Sequence, residues 1–357
     1  MRFSGIGGQA VIEGVMMRNK SRYAVAVRKS DGTIETNTYS CGEQNDNSKV
    51  AKIPLVRGVA AFIESLKIGM KSLDVAASFL EEEEEKIEKD GEKKGSGIAE
   101  GLIMIVAIIF ALGIFVLFPF WVSEKLTKYI ASVQLRGLIE GVLRVALFVI
   151  YVKLISLMDD IKRVFKYHGA EHKCINCIEN GLPLNVENAR KQTTFHKRCG
   201  TTFLLWIMLI SILFFMFISF DNVFMRMGLR IVLVPVIAGI SYEFLRLAGR
   251  KESKILDILS KPGFWMQSLT TKEPDDEMLE VAIASVNAVF DWRAFLAEDG
   301  IIVEDEREDD DEVVIVDITE ESIEESAEES VIEMVEVDDD SDDDDELAEY
   351  FESGDEE

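Results

Sequence analysis

Four long apolar runs constrain this chain more than any other feature. Residues 101–122, 137–157, 203–221 and 229–248 each supply roughly the number of helical residues needed to cross a hydrocarbon layer of about 30 Å. The first and third are almost pure hydrocarbon, as in FLLWIMLISILFFMFISF from Phe203. The second carries Glu140 and Arg144 at i,i+4 and the fourth carries Glu243 and Arg246 at i,i+3, spacings that place each pair on one helix face. The fold class expected is therefore a mainly α membrane protein with four transmembrane helices.

Basic residues set the expected orientation. Eight Lys and Arg lie between the second and third runs, against three in 123–136 and one in 222–228. Both termini and the 158–202 loop are thus placed in the cytoplasm of a multi-pass protein of the cell inner (plasma) membrane. The N-terminus lacks the unbroken apolar core and small-residue cleavage site of a secretory signal and is read as retained.

The rest divides by composition. Residues 1–50 form a small α+β region in which 22–29 and 33–39 alternate like strands around a Ser-Asp-Gly turn, predicting a β-hairpin. Residues 51–97 hold an amphipathic helix over 53–80, with Leu66, Met70 and Leu73 suited to a membrane surface, and then a charged linker. Residues 98–250 are the transmembrane domain, and 251–300 a cytoplasmic helical segment with a helix opened by Pro274 and Asp275. The tail 301–357 has 30 Asp and Glu against Arg307, so it carries −29 while the whole chain carries −27. So charged a segment buries too little apolar surface to fold, and it is read as disordered. The body is nearly neutral, and no nucleic-acid partner is expected. The expected partners are the lipid bilayer and proteins docking on the N-terminal region or the acidic tail, with a homo-oligomer left open.

The chemistry concentrates in one segment. All three histidines (His168, His172, His196) and three of the four cysteines (Cys174, Cys177, Cys199) lie in the loop between the second and third runs. Sparse, clustered cysteine fits metal or redox chemistry in a reducing compartment. Two patterns overlap there. His168-Gly-Ala-Glu171-His172 has the H-x-x-E-H order of inverzincins, in which two imidazoles reach one ion from one helix face and the carboxylate is the general base, although the same five residues also fit a solvated helix face. Cys174-x2-Cys177 and His196-x2-Cys199 are two paired-ligand hooks that could instead close a structural zinc site. Zn²⁺ suits either mixed thiolate and imidazole set. Glu243 and Arg246, near the cytoplasmic end of the fourth run, are further candidates, whereas Glu140 and Arg144 are read as structural. The N-terminal Gly5-x-Gly7-x-x-Ala10 imitates a dinucleotide fingerprint, but no strand can precede it, so its glycines are assigned to turns.

GGQAVIEGVMMR at Gly7, IPLVRGVAAFIESLKIG at Ile53, YHGAEHK at Tyr167, HKRCGTTFL at His196, YEFLRLAG at Tyr242 and MQSLTTKEPDDEMLEVAIA at Met266 together resemble the YqhQ-like family of bacterial membrane proteins over roughly residues 3–290. The family carries a domain of unknown function and is described at most as a predicted metal-dependent enzyme. The resemblance implies functional weight at His168, Glu171, His172, Cys177, Glu179, His196, Arg198, Cys199 and Gly200 but not at Cys174, which favours a mixed His and Cys cluster over the four-ligand hook site.

The leading expectation is a zinc-dependent, hydrolase-like enzyme at the cytoplasmic membrane surface. Here His168, His172 and one or more of Cys177, His196 and Cys199 hold the metal, and Glu171 is the catalytic base. The rival is a non-catalytic membrane factor with a structural zinc, acting in membrane-protein biogenesis; a transporter component is third.

Overall fold

The computed structural model describes residues 2–41, 53, 55–87, 106, 109–111, 113–218, 222–250, 254–298 and 301. The acidic tail beyond 301 and most of the linker after the amphipathic helix lie outside these residues. The N-terminal region is a four-stranded antiparallel meander of β1 (Gly7–Val11), β2 (Gly14–Asn19), β3 (Arg22–Arg28) and β4 (Ile34–Ser40). The expected hairpin is β3–β4, with Arg28 opposite Ile34. The glycines before it are not simply turn residues: Gly7 and Gly8 belong to β1, and Gly14 opens β2. Gly14 is required there because a Cβ would lie 2.2 Å from the Ala26 carbonyl oxygen.

The alternation of β2 and β3 buries both faces of the sheet. One face, with Val11, Met16, Tyr23, Val25 and Val27, packs on Ile68, Ala76 and Phe79 of helix α1 (Val56–Ile87). The other, with Val15, Met17 and Ala26, meets a larger core. That core is supplied by α4 (Asp159–Glu179) and α9 (Asp276–Val289), closed by Trp292 and Leu296 of α10 (Trp292–Ala297). At about 25 cal/mol per Å² of apolar surface, burying aliphatic side chains in this three-layer core is the main drive for the segment to fold. The 158–202 region is therefore mostly helix rather than loop, since α5 (Val186–Arg190) follows α4. Its many charges obscured the helix, but Ala170, Ile175 and Ile178 form a buried face beneath them.

The apolar helices differ in reach. Between the first two comes a π-helical turn, Gly113–Leu117, that runs into α2 (Phe118–Lys125); α3 is Val133–Ile155, α6 is Gly200–Phe215, α7 is Val223–Arg250 and α8 is Lys254–Thr270. Among the described residues, Ile109–Lys128 and Phe224–Ala248 are long and apolar enough to cross a membrane, and α3 with α4 makes a third span if that pair, bent by 103°, is counted as one. This is fewer than the four runs anticipated. Helix α3 holds Glu140, Arg144 and Lys153, and α6 has only 16 residues. The first and third runs also extend into positions outside the described residues.

The charges in α3 are satisfied across helices. Glu140, 2% exposed, accepts from Arg144 at 3.0 Å and from both terminal nitrogens of Arg230 on α7. Arg144 also reaches Ser211 of α6 at 3.4 Å. The i,i+4 pair is thus one half of a three-helix junction.

Candidate metal centre

Helix α4 builds the centre. Asp159 and Asp160 occupy its first turn, where carboxylates favour the helix dipole, and nine residues on the helix presents His168, Glu171 and His172 on one side. Gly169 lets the chain at Lys272 pass against the helix, because a Cβ there would stand 2.0 Å from the Lys272 carbonyl oxygen. The Lys272 amide donates to Phe165 O at 2.9 Å and fixes that approach. It brings the Thr270 carbonyl, at the end of α8, to 2.9 Å from His168 Nδ1. The loop after α5 is drawn in on the other flank. Lys173 donates to Arg190 O at 2.7 Å, Asn176 donates to Thr193 O at 2.8 Å and Phe195 O at 3.0 Å, and His172 Nδ1 lies 2.6 Å from Thr194 O.

Each imidazole therefore sets its Nδ1 against a backbone carbonyl and turns Nε2 inward, the orientation that a metal-ligating histidine needs. Cys199, the residue just before α6, completes the set, its Sγ 3.2 Å from His168 Nε2 and 3.1 Å from Thr201 Oγ1. One ligand atom from each of His168, His172 and Cys199 lies within 4.8 Å of the others. Glu171 borders all of this, its Oε2 3.6 Å from His172 Nε2 and 3.9 Å from His168 Nε2. Burial opposes charge on both members of the His168–Cys199 pair. Their mutual attraction outweighs it, pushing His168 up to about 9 and holding the Cys199 thiol well below its ordinary value with help from His172. A thiolate beside two imidazoles is a donor set fitted to zinc.

The remaining residues singled out above fall elsewhere. Cys174 and Cys177 do not join His196 and Cys199, so the hook-type site is not assembled. At about 100° per residue Cys177 lies half a turn round α4 from His168, and it is buried in the core, its Sγ 3.4 Å from Pro183 O. Burial pushes Cys177 up to about 11 and Cys174 well above the usual thiol range, so neither is a ready thiolate. His196 stands beside the three residues rather than among them, with its ring centroid 5.6 Å from that of His172 and its Nε2 3.5 Å from Glu179. Arg198 pairs with Glu179 at 2.6 Å. Burial works against the Glu179 carboxylate, yet His196 and Arg198 hold it down at about 2, with Ser4 donating to the same oxygen from its amide at 2.9 Å and its hydroxyl at 2.7 Å. Glu243 is claimed by Arg57 of α1 at 2.6 Å, with Arg246 at 4.0 Å.

The family model described as "Protein of unknown function (DUF1385)" matches residues 53–292. The chain belongs to this family. It is also 39% identical over 289 residues to "Uncharacterized protein YqhQ" of Bacillus subtilis (strain 168), covering 79% of this chain and 91% of that protein. No solved structure matches.

Within this DUF1385 chain, several residues position the centre without carrying ligand chemistry themselves. Gln267 on α8 accepts from the His196 amide at 2.8 Å and donates to His196 O and to Thr202 Oγ1, both at 2.7 Å, stitching α8 to the chain on either side of Cys199. Gly8 of β1 sits where a Cβ would meet Glu171 Cγ at 2.7 Å, so the sheet edge forms a wall of the centre. Both lie in stretches already noted, MQSLTT and GGQA, but an amide and a glycine carry no chemistry that singles them out alone. The carbonyls of Thr194 and Thr270 leave no side-chain signature at all.

Proposed function

We propose that this DUF1385 protein is a zinc-dependent, hydrolase-like enzyme of the cell membrane, with His168, His172 and Cys199 as ligands and Glu171 as general base. The observation that carries the reading is the convergence of three ligand atoms within 4.8 Å beside a carboxylate that is not taken up by an arginine or lysine among the described residues. Three protein ligands match catalytic rather than structural zinc, which is usually held by four. Zinc bound there would supply a Lewis acid that lowers the pKa of water toward about 7. The chain's own part is to orient both imidazoles through Thr194 and Thr270, to keep Cys199 ionised, and to accept a proton at Glu171 Oε2. His196 and Arg198 fix Glu179 beside the centre and are positioning residues.

The surroundings support a membrane setting. Cys199 immediately precedes the apolar helix α6, and α4, which carries both histidines, leaves α3 through the 103° bend, so the centre adjoins the start of one apolar helix and is tied by α4 to the end of another. The reading includes four spans, with the stretches of α3 and α6 that are short or charged completed by the Glu140–Arg144–Arg230 junction. Both termini and the centre are cytoplasmic, and the substrate is one presented at the bilayer surface.

The test is Glu171→Gln, which keeps shape and removes the base. Full-length variant is to be assayed for zinc content, melting temperature and complementation of a deletion strain. The enzyme reading expects normal zinc and fold with function lost; full complementation at normal zinc content would replace it with a non-catalytic membrane factor. A second reading has its own observation: Cys199 lies at a helix N-terminus, 3.2 Å from an imidazole held by a carbonyl, as a nucleophile lies beside its base. It predicts function in protein stripped of metal, together with thiol alkylation that abolishes it.

A further inference from the structure

Helix α1 packs on the sheet through one face and on α6 and α7 through its first turns, and a further apolar stripe is left over. Ile68, Ala76 and Phe79 pack on the sheet, while Val56, Ile63, Leu66, Met70 and Leu73 are 40–60% exposed on the opposite side. With the half-buried Val59 and Ala77 between and after them, these positions alternate in steps of three and four over three heptads. That is the narrow seam of a coiled coil, with Val and Ile at the first two a positions and Leu at two d positions, the combination that favours two parallel strands.

Bilayer does not cover the whole seam. Leu55 packs on Gly239 and Gly58 on Tyr242, the same step of three residues along both helices, so α1 runs in the same direction as α7 with an offset of 184. The apolar span of α7 ends at Ala248, level with residue 64. At about 1.5 Å per residue, Met70 and Leu73 project roughly 9 and 14 Å past that level, alongside the sheet. Large apolar side chains at that height need protein on them.

We propose that the occupant is a second copy of this chain, its α1 packed in parallel on this one about a two-fold axis along the membrane normal. Such an axis keeps both copies the same way up, which makes their α1 helices parallel, and it matches each heptad layer with itself. The flanking charges agree: Lys67 faces Phe62 and Asp74 faces Gly69 across a parallel seam, so no like charges meet. The dimer does not depend on the metal reading. Its axis does rest on the membrane reading, and the cross-linking pattern tests that part separately.

Full-length protein carrying Leu66→Cys, Met70→Cys, Leu73→Cys or, off the seam, Lys71→Cys is treated in membranes with a short bis-maleimide, with the unaltered chain as background for its own cysteines. The proposal expects dimer bands at positions 66 and 73 several-fold above those at 71, and a two-chain mass in nanodiscs. Leu66→Asp should halve that mass while zinc content is unchanged. Cross-linking at 70 without 66 and 73 means antiparallel pairing and overturns the two-fold along the normal. A one-chain mass with no band above background overturns the dimer, leaving lipid or another protein on the stripe.

Discussion

Gly169→Ala offers a prediction in which helix propensity and packing disagree in sign. In an exposed helix interior the change stabilises by about 1 kcal/mol. Here the added methyl would stand 2.0 Å from Lys272 O, 3.2 Å from Lys272 C and 3.4 Å from Pro274 Cδ, backbone and ring atoms that have no rotamer to escape into. Returning the carbonyl to ordinary contact, 3.4 Å or more, moves that strand of chain by more than 1 Å. The move breaks the Lys272 N–H···O Phe165 bond and drags Thr270 O from His168. Overpacking costs about 1–3 kcal/mol and the lost hydrogen bond about 1, so the net after propensity is a loss of roughly 2 kcal/mol. At about 2.1 cal/mol/K of unfolding entropy per residue, that lowers Tm by about 3 °C for a chain of 357 residues. Freed from its carbonyl, His168 should also bind zinc 10–100-fold more weakly. Melting curves and competitive zinc titration read both effects, with Gly228→Ala in α7 as control because its added methyl meets nothing within 4 Å outside its own chain neighbours and helix backbone. If Gly169→Ala melts and binds metal like Gly228→Ala, the close approach of Lys272 is not what positions His168.

Three further outcomes follow from the same geometry. Glu179 is held at about 2 in the folded chain, below its unfolded value, so its contribution is complete above about pH 5 and is lost as pH falls through the folded value; removing it by Glu179→Gln should flatten the acid limb of a Tm–pH profile by about 3 kcal/mol. Glu140→Ala leaves Arg144 and Arg230 facing each other without a carboxylate and should destabilise by about 3–5 kcal/mol, read as a lower Tm and less protein in the membrane fraction, while Glu140→Ala with Arg230→Leu recovers part of the loss. Cys177→Ala should keep a full zinc complement at a modest Tm cost, whereas Cys199→Ala loses zinc, as elemental analysis of both would register.

The site was legible where local periodicity decides geometry. His168, Glu171 and His172 share a helix side because of their spacing, and Asp275 caps α9 by accepting from the Met278 amide, as a Pro-Asp start suggests. The same periodicity, carried further along α4, rules out Cys177: a Cys-x2-Cys pair reads as a metal hook only if a turn follows, and here helix runs on to Glu179. Strands β1 and β2 were hidden by their glycines, whose function is close approach, at Gly8 to Glu171 and at Gly14 to Ala26. Which cysteine joined the histidines was settled by tertiary structure: Cys199 is delivered by α6 docking on α8, where a Cβ at Gly263 would meet Thr202 at 2.4 Å. No local pattern announces such a contact, nor that Arg230 would complete the Glu140–Arg144 pair.

If His168, His172 and Cys199 hold a metal ion, elemental analysis of full-length protein purified without added metal should find about one equivalent of zinc per chain, and little in the His172→Ala and Cys199→Ala variants. Folded parent protein that complements a deletion strain and contains no transition metal would mean that these three residues hold none.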